Sequence, residues 1–169
     1  MSPSIANLEL RPVEQAHAEN MLRWMLDPEV AENVGLRATP TLERTREWIG
    51  KGDTDACAII HDGHHVGNVV LDQFDMHLRT ARISIYIGEP SARGRGIASA
   101  ALEMAIARAI ERHRLYRIWL TVHERNARAI ALYAKVGFRH EGVLPGDFLL
   151  RGERVNAILM GMLSSEFKP

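Results

Sequence analysis

The sequence predicts one α/β (α+β) domain, residues 1–169, built on a mixed, mostly antiparallel sheet covered by about four helices. Three observations point there. Short apolar runs separated by turn residues read as hairpins. A strand, a glycine-rich turn, a long helix and a second strand follow one another between residues 81 and 122, and such a crossover makes its two strands parallel. No Pro/Gly/Ser-rich linker or internal repeat divides the 169 residues, a length that suits one hydrophobic core.

The elements follow in chain order. Leu8 and Leu10 mark a short first strand. Pro12 then opens a helix in which Ala16, Met21, Leu22, Trp24, Met25 and Leu26 recur at about helical spacing, and Asp27-Pro28 stops it. A second helix covers residues 41–49, with Thr39 or Thr41 as its cap and Gly50 and Gly52 at its end. Residues 57–60 and 66–74 form β-rich runs around Asp62-Gly63, a tight hairpin signal. His61, His64 and His65 crowd this turn, but no Cys or carboxylate supplies metal-ligand spacing, so no metal site is expected.

Residues 81–87 alternate, with Ile83, Ile85 and Ile87 on one face and Arg82, Ser84 and Tyr86 on the other. Ile97, Ala98, Ala101, Leu102, Ala105, Ile106, Ala109 and Ile110 then form the strongest helical stripe in the chain. Ile118, Leu120 and Val122 alternate with Trp119 and Thr121 in the next strand. The last helix covers residues 126–136, turning Ala129, Ile130, Tyr133 and Val136 inward and ending at Gly137. Strands at 138–143 and 155–163 pair around a loop at Pro145-Gly146 and a turn at Arg151-Gly152.

Composition narrows the partners. Lys plus Arg is 21 and Asp plus Glu is 21, so bulk electrostatics gives no hold on nucleic acid or an anionic membrane. Cys57 stands alone and cannot close an internal disulfide. With no signal-like start and no apolar run near the roughly 18 residues of a membrane span, a cytoplasmic location is expected.

Chemistry concentrates at Arg93, Gly94, Arg95, Gly96, Ile97 and Ala98, where a strand passes into the long helix. The first backbone N–H groups of a helix lack intrahelical partners and its dipole favours an anion. Gly94 and Gly96 remove side chains that would hold a phosphate away, and the two arginines add charged donors, so a pyrophosphate fits. The Walker pattern is absent. A dinucleotide fingerprint fails too, because Ser99 holds its last glycine position and no acid ends the strand at Val122. On the loop alone, a glycine-rich turn with solvated arginines stays open.

A second motif tips the balance. Arg93 to Ala98 resembles the [QR]-x-x-G-x-[GA] pyrophosphate loop of the GNAT superfamily of N-acetyltransferases. Asn126, Ala129, Leu132, Tyr133, Lys135, Gly137 and Phe138 resemble that family's signature helix, and Glu141-Gly142 and Ile158-Leu159-Met160 follow in the family's order. The likeness is strong over residues 83–163 and looser at Arg23-Trp24 and Asp27-Pro28-Glu29. Its flavour is that of the ribosomal-protein N-terminal, spermidine and amino-sugar-nucleotide acetyltransferases. The resemblance implies a sheet splayed between its two parallel strands, with the pantetheine of acetyl-CoA inserted there against the backbone of Ile85, Tyr86 and Ile87. It also implies Asn126, Ala129, Tyr133 and Lys135 on the cofactor side, with Tyr133 facing the departing sulfur.

The implied reaction is direct attack of a neutral primary amine, on a small molecule or a protein N-terminus, with a backbone N–H near Ile85 stabilising the oxyanion. Tyr133 then protonates the thiolate as general acid. Relatives often carry Glu near the start of the central strand where this chain has Arg82, and an arginine cannot be a base. Glu124, as base or as the end of a water chain, His123 and Glu89 all remain open for that role. Arg82 and Trp24 are expected at the acceptor; an unpaired Arg82 would disfavour polyamines, whereas the plainer reading is a solvated charge on the sheet's outer face. A homodimer is compatible with the sequence. The competing function is a non-catalytic acyl-CoA-binding sensor or interaction module of the same fold.

Overall fold

The computed structural model describes residues 5–168. Among them seven strands form one sheet: β1 (Leu8–Pro12), β2 (Asp55–His61), β3 (His64–Asp75), β4 (Thr80–Ile87), β5 (Arg117–His123), β6 (Arg139–Leu150) and β7 (Glu153–Leu163). Their order is β1-β2-β3-β4-β5-β7-β6. Every neighbouring pair is antiparallel except β4 and β5, as the crossover through a helix demands. Five helices cover the sheet: α1 (Ala18–Met25), α2 (Pro28–Val34), α3 (Leu42–Lys51), α4 (Ile97–His113) and α5 (Ala127–Val136).

The core lies between the sheet and α4. Leu102 and Ile106 are fully buried there with Val69, Ile83, Ile118, Leu120 and Met160. Each such side chain contributes about 1.5–3 kcal/mol by leaving water. The small residues Ala101, Ala105 and Ala109 bring α4 close to the strands. Tyr133, Val136 and Phe138 join the same cluster, so α5 lies on the α4 side of the sheet. Trp24 of α1, by contrast, lies at 6.1 Å from the ring of Tyr86, on the opposite face.

Three expectations need correction. Pro12 closes β1 instead of opening a helix; a short 3-10 turn at Gln15–His17 intervenes before α1. Asp27-Pro28 ends α1 but also starts α2, a fifth helix, because the Asp27 carboxylate accepts the Glu29 N–H at 3.0 Å and proline suits a first helical position. Pro145-Gly146 is no loop between strands but an irregularity inside β6, between Leu144 and Phe148. Asn156 of β7 holds it by accepting the Gly146 N–H at 3.0 Å, which keeps the edge strand attached across the interruption.

Candidate active site

Parallel pairing between β4 and β5 covers three positions, Thr80 with Arg117, Ala81 with Ile118 and Arg82 with Trp119. Beyond these the strands continue to Ile87 and His123 without pairing, so a wedge opens between them inside the sheet. Backbone N–H and C=O groups on its rims are free to pair with an amide-bearing chain.

Tyr133 closes one side of the wedge. It is 7% exposed, and burial pushes its phenol up to about 12, while a hydrogen bond from the Ile85 backbone draws it part of the way back. The hydroxyl therefore lies near the Ile85 backbone of β4, the strand where the family resemblance expects the cofactor. Asn126 caps α5, its Oδ1 accepting the Ala129 N–H at 3.1 Å, and its Nδ2 donates to Asn33 of α2 at 3.0 Å. Its side chain is thus engaged by two protein partners. Lys135 lies exposed in the last turn of α5, where a cation suits the helix dipole.

The glycine-rich turn is shaped for an anion. Gly94 and Gly96 have φ of 73° and 78°, a region that side chains rarely adopt, and Gly96 is the N-cap of α4. Arg95 is exposed beside the N–H groups of Ile97 and Ala98. Arg93 behaves differently from Arg95. Its Nε donates to the Ile87 carbonyl and its Nη2 to the Gly88 carbonyl, each at 3.1 Å, and Asp27 and Glu29 lie 3.7 Å away. Its guanidinium clamps the end of β4 to the start of α2. The residues present fit a pyrophosphate and pantetheine through the exposed Arg95, a helix start and an open strand edge.

Residues 7–139 match the acetyltransferase (GNAT) domain. The chain belongs to the GNAT family. Spermidine N(1)-acetyltransferase of Escherichia coli is 33% identical over 106 residues, 63% of this chain, and the match spans only 56% of that relative's length. An uncharacterized prophage-derived N-acetyltransferase of Bacillus subtilis is 26% identical over 96% of this chain and 93% of its own. The Vibrio cholerae spermidine N-acetyltransferase in complex with CoA and spermine superposes with a TM-score of 0.89 over 95% of this chain and 98% of its own, at 22% identity. A ribosomal L7/L12 α-N-protein acetyltransferase in complex with CoA superposes with a TM-score of 0.84 over 95% of this chain and 96% of its own, at 18% identity. These likenesses at low identity establish the GNAT fold.

The acceptor side of this GNAT domain departs from expectation at two residues. Arg82 is no free charge: its Nε and Nη2 reach Asp72 Oδ1 and Oδ2 at 2.8 and 2.6 Å, and the carboxylate holds the guanidinium pKa above its ordinary value. Trp24 is 2% exposed and packs on Gly88, where an added Cβ would meet the indole at 2.0 Å, so it is interior packing and no open substrate wall. Glu124 is exposed, with both oxygens accepting from Asn156 at 3.1 Å.

Sequence reading missed three groups. Asn33 was hidden with α2. His65 and the buried Asn68 form a half-buried chain to Tyr86, with 2.9 Å from His65 Nε2 to Asn68 Oδ1 and 2.6 Å from Asn68 Nδ2 to the Tyr86 hydroxyl. Burial pushes His65 down and Tyr86 up to about 12, so this chain is uncharged and steadies β4. Phe148, at the irregularity in β6, packs against His123 with centroids 5.0 Å apart. The Asp27-Pro28-Glu29 start signal could have revealed α2, and with it Asn33. Two surface concavities of about 230 and 290 Å³ lie elsewhere, beside Asp55 and the C-terminal half of α4.

Proposed function

We propose that this GNAT domain transfers the acetyl group of acetyl-CoA to a primary amine of a small molecule or a peptide N-terminus. The buried Tyr133 hydroxyl beside the unpaired rim of β4 carries the reading, because it sets a proton donor next to backbone groups that the sheet leaves open. Gly94, Arg95, Gly96 and the start of α4 would hold the pyrophosphate, and the rim at Ile85, Tyr86 and Ile87 would pair with pantetheine. The thioester supplies an activated acyl carbon and a sulfur leaving group.

Tyr133 would hold the proton that this sulfur needs. From a phenol near 12 to an ordinary thiol near 8.5 the transfer is uphill by about 5 kcal/mol, well inside the barrier of roughly 16 kcal/mol that matches a turnover of about 10 per second. The same burial raises a thiolate's proton affinity, which narrows the gap. Asp72 neutralises Arg82, so polyamines are not excluded as acceptors, in line with the spermidine acetyltransferases among the relatives.

The test is CoA release from acetyl-CoA with a panel of spermidine, lysine, peptide α-amines and amino-sugar nucleotides. Transfer to any of them, lost in Tyr133→Phe, supports the reading. An acetyl-CoA-binding protein inert towards the whole panel would favour the sensor module instead.

A further inference from the structure

Acetyl transfer, as proposed above, requires a group that takes the amine's proton on the face of the wedge opposite Tyr133. Beyond the last pair, Arg82 with Trp119, alternation places Ser84 and Tyr86 on β4 and Thr121 and His123 on β5 on the α1 and α2 side, one set along each rim of the wedge. Ser84 and Thr121 are hydroxyls and weak bases. Tyr86 accepts from Asn68 and keeps its proton. Glu124 holds Asn156 with both oxygens. His123 is left.

A backbone amide decides which nitrogen of His123 carries the hydrogen. The Ala129 N–H can only donate, so the atom facing it at 3.1 Å is Asn126 Oδ1, which turns Asn126 Nδ2 towards Asn33. The atom of Asn33 that receives this donor at 3.0 Å is Oδ1, and the same oxygen lies 3.1 Å from His123 Nε2. Nε2 therefore bears the hydrogen and Nδ1 the lone pair. His123 is 5% exposed, and among the described residues its Nδ1 is buried without a hydrogen-bond partner. A buried acceptor without a partner is a place for a donor.

We propose that Nδ1 of His123 is the hydrogen-bond and proton acceptor for the attacking amine. The amine's lone pair forms the N–C bond, the C–S pair leaves on sulfur, and sulfur takes the Tyr133 proton. The proton shed by nitrogen rests on Nδ1. Its loss to solvent and the return of one to Tyr133 cancel, leaving amide and thiol. Asn33 of α2 and the Phe148 ring of β6 cover the imidazole, so the amine reaches the buried Nδ1 only when one of these side chains swings aside. Burial holds the imidazole neutral at lower pH than usual; Arg125, bound to Glu153, adds to this, and Glu32, bound to Arg151, opposes it.

Nitrogen-15 NMR of the histidine rings in the full chain tests the contact without turnover. The Nε2–H tautomer is expected for His123 at pH 7, and a primary amine added with CoA should move the Nδ1 resonance. His123→Gln should keep the acetyl-CoA thermal shift yet lower kcat/KM for the amine about 10²- to 10⁴-fold at pH 7, a loss that shrinks at pH 9 to 10 as amines deprotonate unaided. A merely structural role predicts the same loss at every pH. An Nδ1 resonance indifferent to the amine, or a variant with wild-type kcat/KM at pH 7, overturns the proposal. An amine-induced Nδ1 shift without any turnover by the wild type would count against the transferase reading and for the His123 contact.

Discussion

Arg82 and Asp72 face each other on adjacent strands and are joined by two hydrogen bonds of 2.8 and 2.6 Å. The pair is planar in its matching and only a quarter to a third exposed, which places it above ordinary surface ion pairs. It neutralises a positive charge on the α1 and α2 side of the sheet and ties β3 to β4 close to where β5 begins to diverge.

Asp72→Asn should expose that charge. We expect a loss of about 1 kcal/mol in urea unfolding, discounted for the partial exposure, and a fall in kcat/KM for spermidine larger than that for a peptide α-amine. Equal effects on both acceptors would confine the pair to a structural role.

Tyr133→Phe should lower kcat about ten- to ten-thousandfold with little change in the acetyl-CoA thermal shift, the pattern of an interaction made mainly in the transition state. Steady-state kinetics beside a melting curve separates the two readouts. Unchanged kcat would reduce Tyr133 to packing against Phe138, whose ring lies 5.8 Å away.

The same tyrosine makes stability fall in alkali. A phenol at about 12 in the folded chain and about 10 unfolded stabilises the fold below pH 10 by at most about 3 kcal/mol, and this is lost as pH rises through 12. Denaturant midpoints at pH 9 and pH 11 should drop more steeply in the wild type than in Tyr133→Phe.

Gly96→Glu should abolish the thermal shift given by millimolar acetyl-CoA, since it sets a carboxylate where phosphate is expected and strains a residue at φ 78°. Loss of the shift with a retained circular dichroism spectrum is the expected result. A preserved shift would move the pyrophosphate away from this turn.

Gly88→Ala should destabilise by about 1–3 kcal/mol through overpacking, because the new methyl meets the Trp24 indole at 2.0 Å. Thermal denaturation measures this. The smaller cost in a Trp24→Leu background would show that the indole is the obstacle.

Local rules made much of this legible. The stripe from Ile97 to Ile110 and the Asn126 and Gly137 caps are contiguous signals, and they locate α4 and α5; the wedge between β4 and β5 is expected only from the resemblance to the GNAT family. The side-chain partners were not legible, because they depend on register and on distant elements. Asp72 and Arg82 are only ten residues apart, yet the irregular register between Asp72 and Asp75 hides their meeting. Arg93 looks like a phosphate ligand in its motif, and only the fold shows the carbonyls of Ile87 and Gly88 within its reach. Asn33 and His123 are 90 residues apart and meet through α2, a helix hidden behind a stop signal.

The three-position seam between β4 and β5 has a consequence for how the chain assembles. On one side, β1 to β4 include three strands joined in sequence, and on the other β5 to β7 close on themselves, so each half can condense through antiparallel pairing. The seam has only three paired positions and needs α4 to have crossed over, so it is expected to open more readily than the antiparallel pairs beside it. Slow amide exchange is expected inside each half, with the seam amides of residues 117–119 opening at lower free energy. A pantetheine arm bridging both halves would slow that opening, so the cosubstrate acts as a mechanical rivet as well as a reactant.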